Sequence, residues 1–364
     1  MELFGQEIVK ICKGLPLAVK TLAGLLRDKR ESSQWKAILE NKIWDFSESE
    51  ILPSPMLSYH HLPPLLKRCF AYCALFPKDY IFNKMELVVL WMAEGIVQPK
   101  ERKRLEDVGA GYFDELFMRS FFELSNHRHA LAGRPLFIDL SKELSTRSFF
   151  ESSCITGSGF VMHDLIHDLA QFVSSGIYCR RVYDKPSQVL TTARHLSYVM
   201  DSYDAEKIEF ETMKSLRTFL TLNDIVGNPM YFLPTMQFQF HFLRVLRFRN
   251  CCNCELPNSV GKLKHLRFLD LLFSDIVELP NSIGNLYNLQ LLTLTGCGRL
   301  KQLPKDMGNL VNLRYLVLPA HWGFHKIPVG VDNLTNLQLL ATLDAGPRKK
   351  LSQLCGTLDN SNLE

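Results

Sequence analysis

The sequence predicts a multidomain chain in which an α-helical N-terminal half is followed by a solenoid of short strands, an α/β repeat array. Three observations carry this expectation. At 364 residues the chain exceeds what one hydrophobic core usually holds. Up to about residue 180 the apolar residues recur at helical spacing, and beyond it L-x-x-L-x-L returns at a nearly constant period. A composition of 46% hydrophobic and 22% charged residues is that of a folded chain.

In SSQWKAILENKIW, Ser32 or Ser33 is expected to cap a helix whose Trp35, Ile38, Leu39 and Ile43 share one face. LPPLLKRCFAYCALFP predicts the next helix. Pro64 suits its first turn, Leu65, Leu66, Cys69, Phe70 and Cys73 form a buried stripe, and Pro77 stops it. Asn83, with Glu86 three residues on, reads as a capping box opening a third helix through Leu87, Leu90 and Trp91 to Gly95.

The repeat follows as Leu266/Leu269/Leu271, Leu289/Leu292/Leu294 and Leu313/Leu316/Leu318, with a variant Leu243/Leu246/Phe248 before them. Their first leucines stand 23, 23 and 24 residues apart. A second anchor keeps step: Leu256-Pro257, Leu279-Pro280, Leu303-Pro304 and Ile327-Pro328. This is a leucine-rich repeat, one strand per coil, in which neighbouring coils must stack to bury their leucines. HLSYV near Leu196 and LRTFL near Leu216 are expected to be degenerate entry repeats, and the last coil carries no clear cap. A smaller repeat, RSFFE, occurs at Arg119–Glu123 and again at Arg147–Glu151, which reads as a duplication or insertion.

Several chemistries lack support. A net charge of +4 gives no global argument for nucleic acid or membrane. The first residues do not read as a signal peptide, and the run LVVLWMAEGIV is broken by Glu94 before it could span a bilayer. Ten scattered cysteines are expected to be free thiols of the cytosol or nucleus. Cys251 and Cys297 fall at the inward N/C position of the repeat, and the CCNC cluster is too cramped for a typical zinc knuckle. KERKR (Lys100–Arg104) reads as a solvated loop, and His60-His61 carry no recognisable chemistry. Neither a phosphate-binding loop, a dinucleotide fingerprint nor a nucleophile elbow occurs, so catalysis has no anchor and the chain is not expected to be an enzyme.

The stretch VMHDLIHDLA (Val161–Ala170) is one methylene short of an H-E-x-x-H zinc helix. At 100° per residue Met162, Leu165, Ile166, Leu169, Phe172 and Val173 share an arc of about 120°. That places His163 and His167 on one flank and Asp164 and Asp168 on the other. A zinc peptidase built on His163-x3-His167 is the weakest reading, because Asp164 reaches poorly and no third ligand follows. The alternative is a histidine at a helix start, where free N–H groups and the helix dipole attract anions and the imidazole adds a donor to a phosphate.

GLPLA (Gly14–Ala18), CFAYCALFPKDY (Cys69–Tyr80), LWMAEG (Leu90–Gly95) and VMHDLIHDLA, followed by the Leu-Pro-anchored repeats, occur in an order that resembles one family. It is the C-terminal half of the plant NB-ARC module joined to the leucine-rich array of intracellular disease-resistance receptors, in their coiled-coil, non-TIR class. The match spans nearly the whole chain; the second RSFFE departs from it. The resemblance implies the end of the first helical subdomain over 1–50 and a winged-helix (α+β) subdomain over 51–178, with an insert near 120–150. Leucine-rich repeats would occupy 179–364. It further implies a cytoplasmic defence protein, with the nucleus as an alternative site, whose ADP-bound resting form gives way to an ATP-bound active form. Pro16 would line the nucleotide base, His163 would contact the ADP phosphates, and Asp164 would help hold the closed arrangement. On this reading the chain is an N-terminally truncated piece without the phosphate loop, expected to bind nucleotide weakly or not at all.

The solenoid is expected to present Val245, Arg247, Phe268, Asp270, Leu291, Thr293, Tyr315 and Val317 on its concave face. Their mixed chemistry suits a protein partner better than a polyanion. The resemblance makes that partner a pathogen effector or a guarded host protein, and has the repeats also contact the NB-ARC module. A winged-helix nucleic-acid binder is the alternative, weakened because its candidate recognition helix, KMELVVLWMAEG, is strongly apolar.

Overall fold

The structure, a computed structural model, describes residues 2–45, 53–125, 159–174, 176–182, 192–199, 213–222, 240–249, 251, 255–319 and 333–343. It divides into two compact units, Met1–Arg180 and Arg181–Glu364.

The first unit contains α1 (Glu2–Ile11), α2 (Pro16–Leu26), α3 (Ser32–Leu39), α4 (Pro53–His60), α5 (Pro64–Tyr72), α6 (Lys84–Glu94), α7 (Leu105–Met118), β1 (Glu123–Leu124), β2 (Phe160–Val161) and α8 (Asp164–Ser174); β3 (Tyr178–Val182) spans the division and is the first strand of the eight-stranded sheet. Ile8, Cys12, Ala18, Leu22, Leu25, Leu26, Ile38 and Leu57 form one apolar core against which Trp35, Leu39, Ile43 and Trp44 pack. The α3 cap differs from expectation: Glu31 is its N-cap and makes no side-chain cap bond, while Ser32 is already helical. Ile43 lies beyond that helix, in a 3-10 turn at Lys42–Asp45.

Pro64 opens α5 as expected, and the Asn83 side chain accepts from the backbone of Met85 and Glu86 at 2.9 and 3.1 Å. Gly95 ends α6 at φ 73°, a left-handed conformation that costs glycine nothing. Around α6 and α7 an aromatic chain runs from Phe76 to Phe82, Phe122 and Phe113, with centroids 5.2, 5.3 and 4.9 Å apart. Phe121 and Phe122 of the first RSFFE are therefore core residues. The second copy, and the insert expected near 120–150 beyond Ser125, lie outside the described residues.

β1 and β2 pair antiparallel (Glu123↔Val161, Leu124↔Phe160), and Phe82 exchanges both backbone hydrogen bonds with Phe160 at 2.7 and 2.9 Å. This small sheet fixes the chain immediately before α8. The helical N-terminal part is held to α7 at close range. A Cβ on Gly24 of α2 would stand 2.8 Å from Arg119 Cα, and Lys20 pairs with Glu123 at 2.9 Å.

In the second unit β4 (His195–Val199), β5 (Thr218–Thr221), β6 (Val245–Arg247), β7 (Phe268–Asp270), β8 (Leu291–Thr293), β9 (Tyr315–Pro319) and β10 (Leu339–Leu343) follow one another across a parallel sheet in strict chain order. The repeat leucines are in register, Leu246↔Leu269↔Leu292↔Leu316↔Leu340, and the first four are fully buried. HLSYV and LRTFL supply β4 and β5. The repeat reaches one coil further than its leucine pattern shows, because β10 comes from QLLATL.

The returning segments are 3-10 turns rather than α-helices: Asn258–Lys262, Asn281–Asn285 and Lys305–Asn309. Each starts directly after the Leu-Pro anchor and is five residues long, too short for an α-helix to repay its nucleation. Cys297 donates to the Leu271 carbonyl at 3.1 Å, as its repeat position requires. Cys251 is disulfide-bonded, with its partner outside the described residues, so the expectation of ten free thiols is corrected. Cys12, Cys69, Cys73, Cys179 and Cys297 are free and buried.

The turns stack tightly enough to require glycine. A Cβ on Gly284 would stand 2.5 Å from the Asp306 carbonyl oxygen, whereas at Gly298 it would meet nothing within 4 Å. Gly284→Ala is therefore expected to cost about 1–3 kcal/mol by chemical denaturation, and Gly298→Ala to cost far less; equal effects would show that the stacking is not limiting.

Candidate functional site

β2 delivers the chain to Met162, which is buried, and then to His163, which is exposed. The helix begins at Asp164, two residues after Met162, where the wheel starts. His163 is its cap. Nδ1 of His163 accepts from the Leu165 backbone N–H at 3.2 Å, and its carbonyl accepts from Ile166 and His167, both at 2.9 Å. One of the helix's otherwise open donors is thus satisfied by an imidazole lone pair. That bond places the ring proton on Nε2, the atom left to donate to an anion.

The second histidine has the opposite environment. His167 is 2% exposed, and its Nε2 lies 2.8 Å from the Phe76 carbonyl. A carbonyl only accepts, so this nitrogen carries the proton, and Nδ1 is left buried without a hydrogen-bond partner. The two histidines therefore do not share a flank. The core face is Ile166, His167, Leu169, Ala170 and Ser174, and Phe172 is 59% exposed instead of buried. A metal on His163 Nε2 would move that ring's proton to Nδ1 and cost the helix its cap bond, and among the described residues no group of three His, Cys, Asp or Glu side chains that could hold a metal gathers.

Other side chains seat α8 on the turn that follows α5. Asp168 pairs with Lys78 at 2.8 Å, Gln171 Nε2 donates to the Ala74 carbonyl at 2.5 Å, and Arg180 Nη1 donates to the Phe76 carbonyl at 3.3 Å. Lys78 has its pKa raised, chiefly by the hydrogen bond to Asp168. Both partners of that bridge are partly exposed, so it contributes at most about 1 kcal/mol. Asp164, exposed in the first turn, complements the helix dipole.

Pro16 is the first residue of α2 and is exposed, after a turn in which Lys13 and Gly14 take φ 50° and 74°. α2 and α8 both pack on α4. In α6 every side chain from Met85 to Glu94 is buried, which leaves it no face to read a nucleic-acid groove.

The eight expected concave residues fall into two ladder columns, Val245↔Phe268↔Leu291↔Tyr315 and Arg247↔Asp270↔Thr293↔Val317. All eight are buried, at 0–1% exposure, where an open face was expected. The physical reason is in their chemistry. The first column is a continuous apolar strip that gains by leaving water. In the second, Asp270 Oδ2 meets Arg247 Nε at 3.2 Å and Arg249 Nη2 at 2.9 Å, and Oδ1 accepts from Leu272 N at 3.1 Å.

One feature is invisible to the leucine pattern. Arg194, Arg217, Arg244, Arg267, Gln290, Arg314 and Gln338 each precede a strand and hydrogen-bond in succession through their backbones at 2.7–2.8 Å. The result is an arginine-rich edge along the sheet, with Arg217, Arg244, Arg267 and Arg314 half-buried and Arg194 exposed.

Two family models match the chain: a leucine-rich repeat region over residues 213–360 and a disease resistance protein winged helix domain over 75–134. RGA2 of Solanum bulbocastanum is 36% identical over 264 residues, 72% of this chain and 22% of that protein. RPP13-like protein 1 of Arabidopsis thaliana is 37% identical over 289 residues, 74% of this chain and 24% of that protein. RGA4 of Solanum bulbocastanum is 46% identical over 168 residues, 46% of this chain and 14% of that protein. All three carry disease resistance in their names, and the chain spans about a quarter of their length or less. No helix among the described residues is long and apolar enough to cross a membrane.

Burial holds the His167 pKa below the usual 6.5, reinforced by Arg180 and Lys78 and opposed by the Phe76 carbonyl and Asp168. The unfolded chain therefore takes up a proton first, and stability falls as pH drops through 6.5 toward the folded-state value. Urea unfolding from pH 7.5 to about 5.5 is expected to show this loss in the native chain and a flatter profile in His167→Gln; parallel profiles would remove His167 as the cause.

Proposed function

The chain belongs to the plant disease-resistance proteins that combine a winged helix with leucine-rich repeats, and from that membership we infer that it is a non-catalytic immune-receptor segment. Its first unit senses a bound nucleoside diphosphate, and its solenoid recognises a protein. The observation that carries the sensor reading is the division of labour in HDLIHD: His167 faces inward onto Phe76, and His163 caps α8 with Nε2 left to donate. An exposed imidazole donor at a helix start, beside backbone N–H groups, fits a phosphate. Pro16, exposed at the start of α2, fits contact with a nucleotide base, and Asp164 fits a role in holding the resting arrangement. When bound, ADP or ATP supplies the charge that the module reads; the residues here bind and orient it.

The recognition face is the pair of columns on β6 to β9: Val245, Phe268, Leu291 and Tyr315 beside Arg247, Asp270, Thr293 and Val317. They are buried, so an effector or guarded host protein touches them only after they become exposed. Such recognition would take place in the cytoplasm or nucleus.

In the receptor carrying its nucleotide-binding half, His163→Ala is expected to speed ADP loss about tenfold, the worth of one charge-assisted hydrogen bond. Unchanged ADP retention in a folded mutant would remove the sensor role. Exchanging Arg247 and Asp270 for the residues of another receptor is expected to change partner choice in a binding assay; unfolding instead would make the pair structural.

A further inference from the structure

We propose that His167, with Gln171 one turn on, is a positioning residue for the phosphate contact of His163. The inference rests on the reading of His163 as the nucleotide-contacting group. It starts from a continuous path of bonds. The His167 backbone N–H donates to the His163 carbonyl at 2.9 Å, and the His167 ring donates to the Phe76 carbonyl at 2.8 Å. One residue therefore ties the cap of α8 to the turn that ends α5. Gln171, on the same face, bonds the Ala74 carbonyl at 2.5 Å, and Arg180 approaches the Phe76 carbonyl from β3 at 3.3 Å.

The chemistry of these contacts points to register rather than stability. An apolar side chain at 167 would pack in the same place, beside Ile166, Leu169 and Ala170, without leaving a buried Nδ1 unsatisfied. What the polar contacts add is direction. Each of these bonds holds only within a limited distance and a near-linear N–H···O angle, so sliding or rotating the helix weakens both. Leucine packing alone would tolerate such a shift. His163 stands at the end of this helix, and its Nε2 moves with any rotation of α8.

The test is a double-mutant cycle read by ADP residence time and by thermal unfolding, on ADP-loaded receptor that carries this chain with its nucleotide-binding half. His167→Leu is expected to shorten ADP residence about fivefold, on the scale of coupling between neighbouring residues, and His167→Gln, which restores a donor toward Phe76, to recover most of it. In a His163→Ala background, His167→Leu should shorten residence no further, while its shift in unfolding temperature remains. A merely structural residue would not show that selective loss. Should His167→Leu fail to fold, Gln171→Leu takes its place with the same expectation. Normal ADP residence in folded His167→Leu, with His163→Ala defective, overturns the positioning role alone; independent multiplication of the two effects does the same. Normal residence in His163→Ala overturns the nucleotide reading and the positioning role with it.

Discussion

The bond between the His167 ring and the Phe76 carbonyl governs how the first unit presents its candidate site. It turns one edge of α8 toward the turn after α5, and the helix can then expose only the other. With Nε2 of His167 committed, exposed His163 is left at the start of the helix, where its Nδ1 closes the helix and its Nε2 remains to donate. A sequence of two histidines four apart would ordinarily suggest a shared ligand. Here the pair is split by burial, and the inner one gives the outer one a fixed position. The bond itself contributes about 1 kcal/mol net, so its importance lies in orientation.

The second unit depends on a different constraint. A coil of about 23 or 24 residues cannot bury its own leucines, and the ladder Leu246↔Leu269↔Leu292↔Leu316 buries them only because each coil repeats the last in register. Gly261 and Gly284 allow the 3-10 turns to approach at that spacing. The same register that stacks leucines also stacks whatever stands beside them. It aligns an apolar column, a column with a buried arginine–aspartate pair, and an edge of arginines.

What could be read in advance follows from which interactions are local. The caps at Asn83 and Gly95, the proline at α5, the leucine period and the entry repeats all rest on residues a few positions apart, and each lies where its pattern places it. The α3 cap departs from its local pattern by one residue, and the other differences arise at longer range. Phe76 lies 91 residues before His167, and nothing in VMHDLIHDLA says that a carbonyl awaits one histidine and not the other. Because His167, Ala170 and Ser174 turn inward with Ile166 and Leu169, the buried face of α8 is rotated from the purely apolar arc and Phe172 is left exposed. In the solenoid, periodicity tells which side chains leave the leucine core but not whether water reaches them, so the concave positions were expected to be open. The arginine edge was missed because its members are a repeat apart and become neighbours only after the strands pair.

Two identical side chains, His163 and His167, are set apart by their hydrogen bonds. Side-chain nitrogen NMR of the histidine-labelled chain reads those bonds directly. Both rings are expected to be protonated on Nε2 at neutral pH, with the His167 proton slow to exchange and the His163 proton fast, and with a hydrogen bond to Nδ1 of His163 that is lost when Leu165 is replaced by proline. A His163 ring protonated on Nδ1, or a His167 proton that exchanges as fast as that of His163, would contradict it.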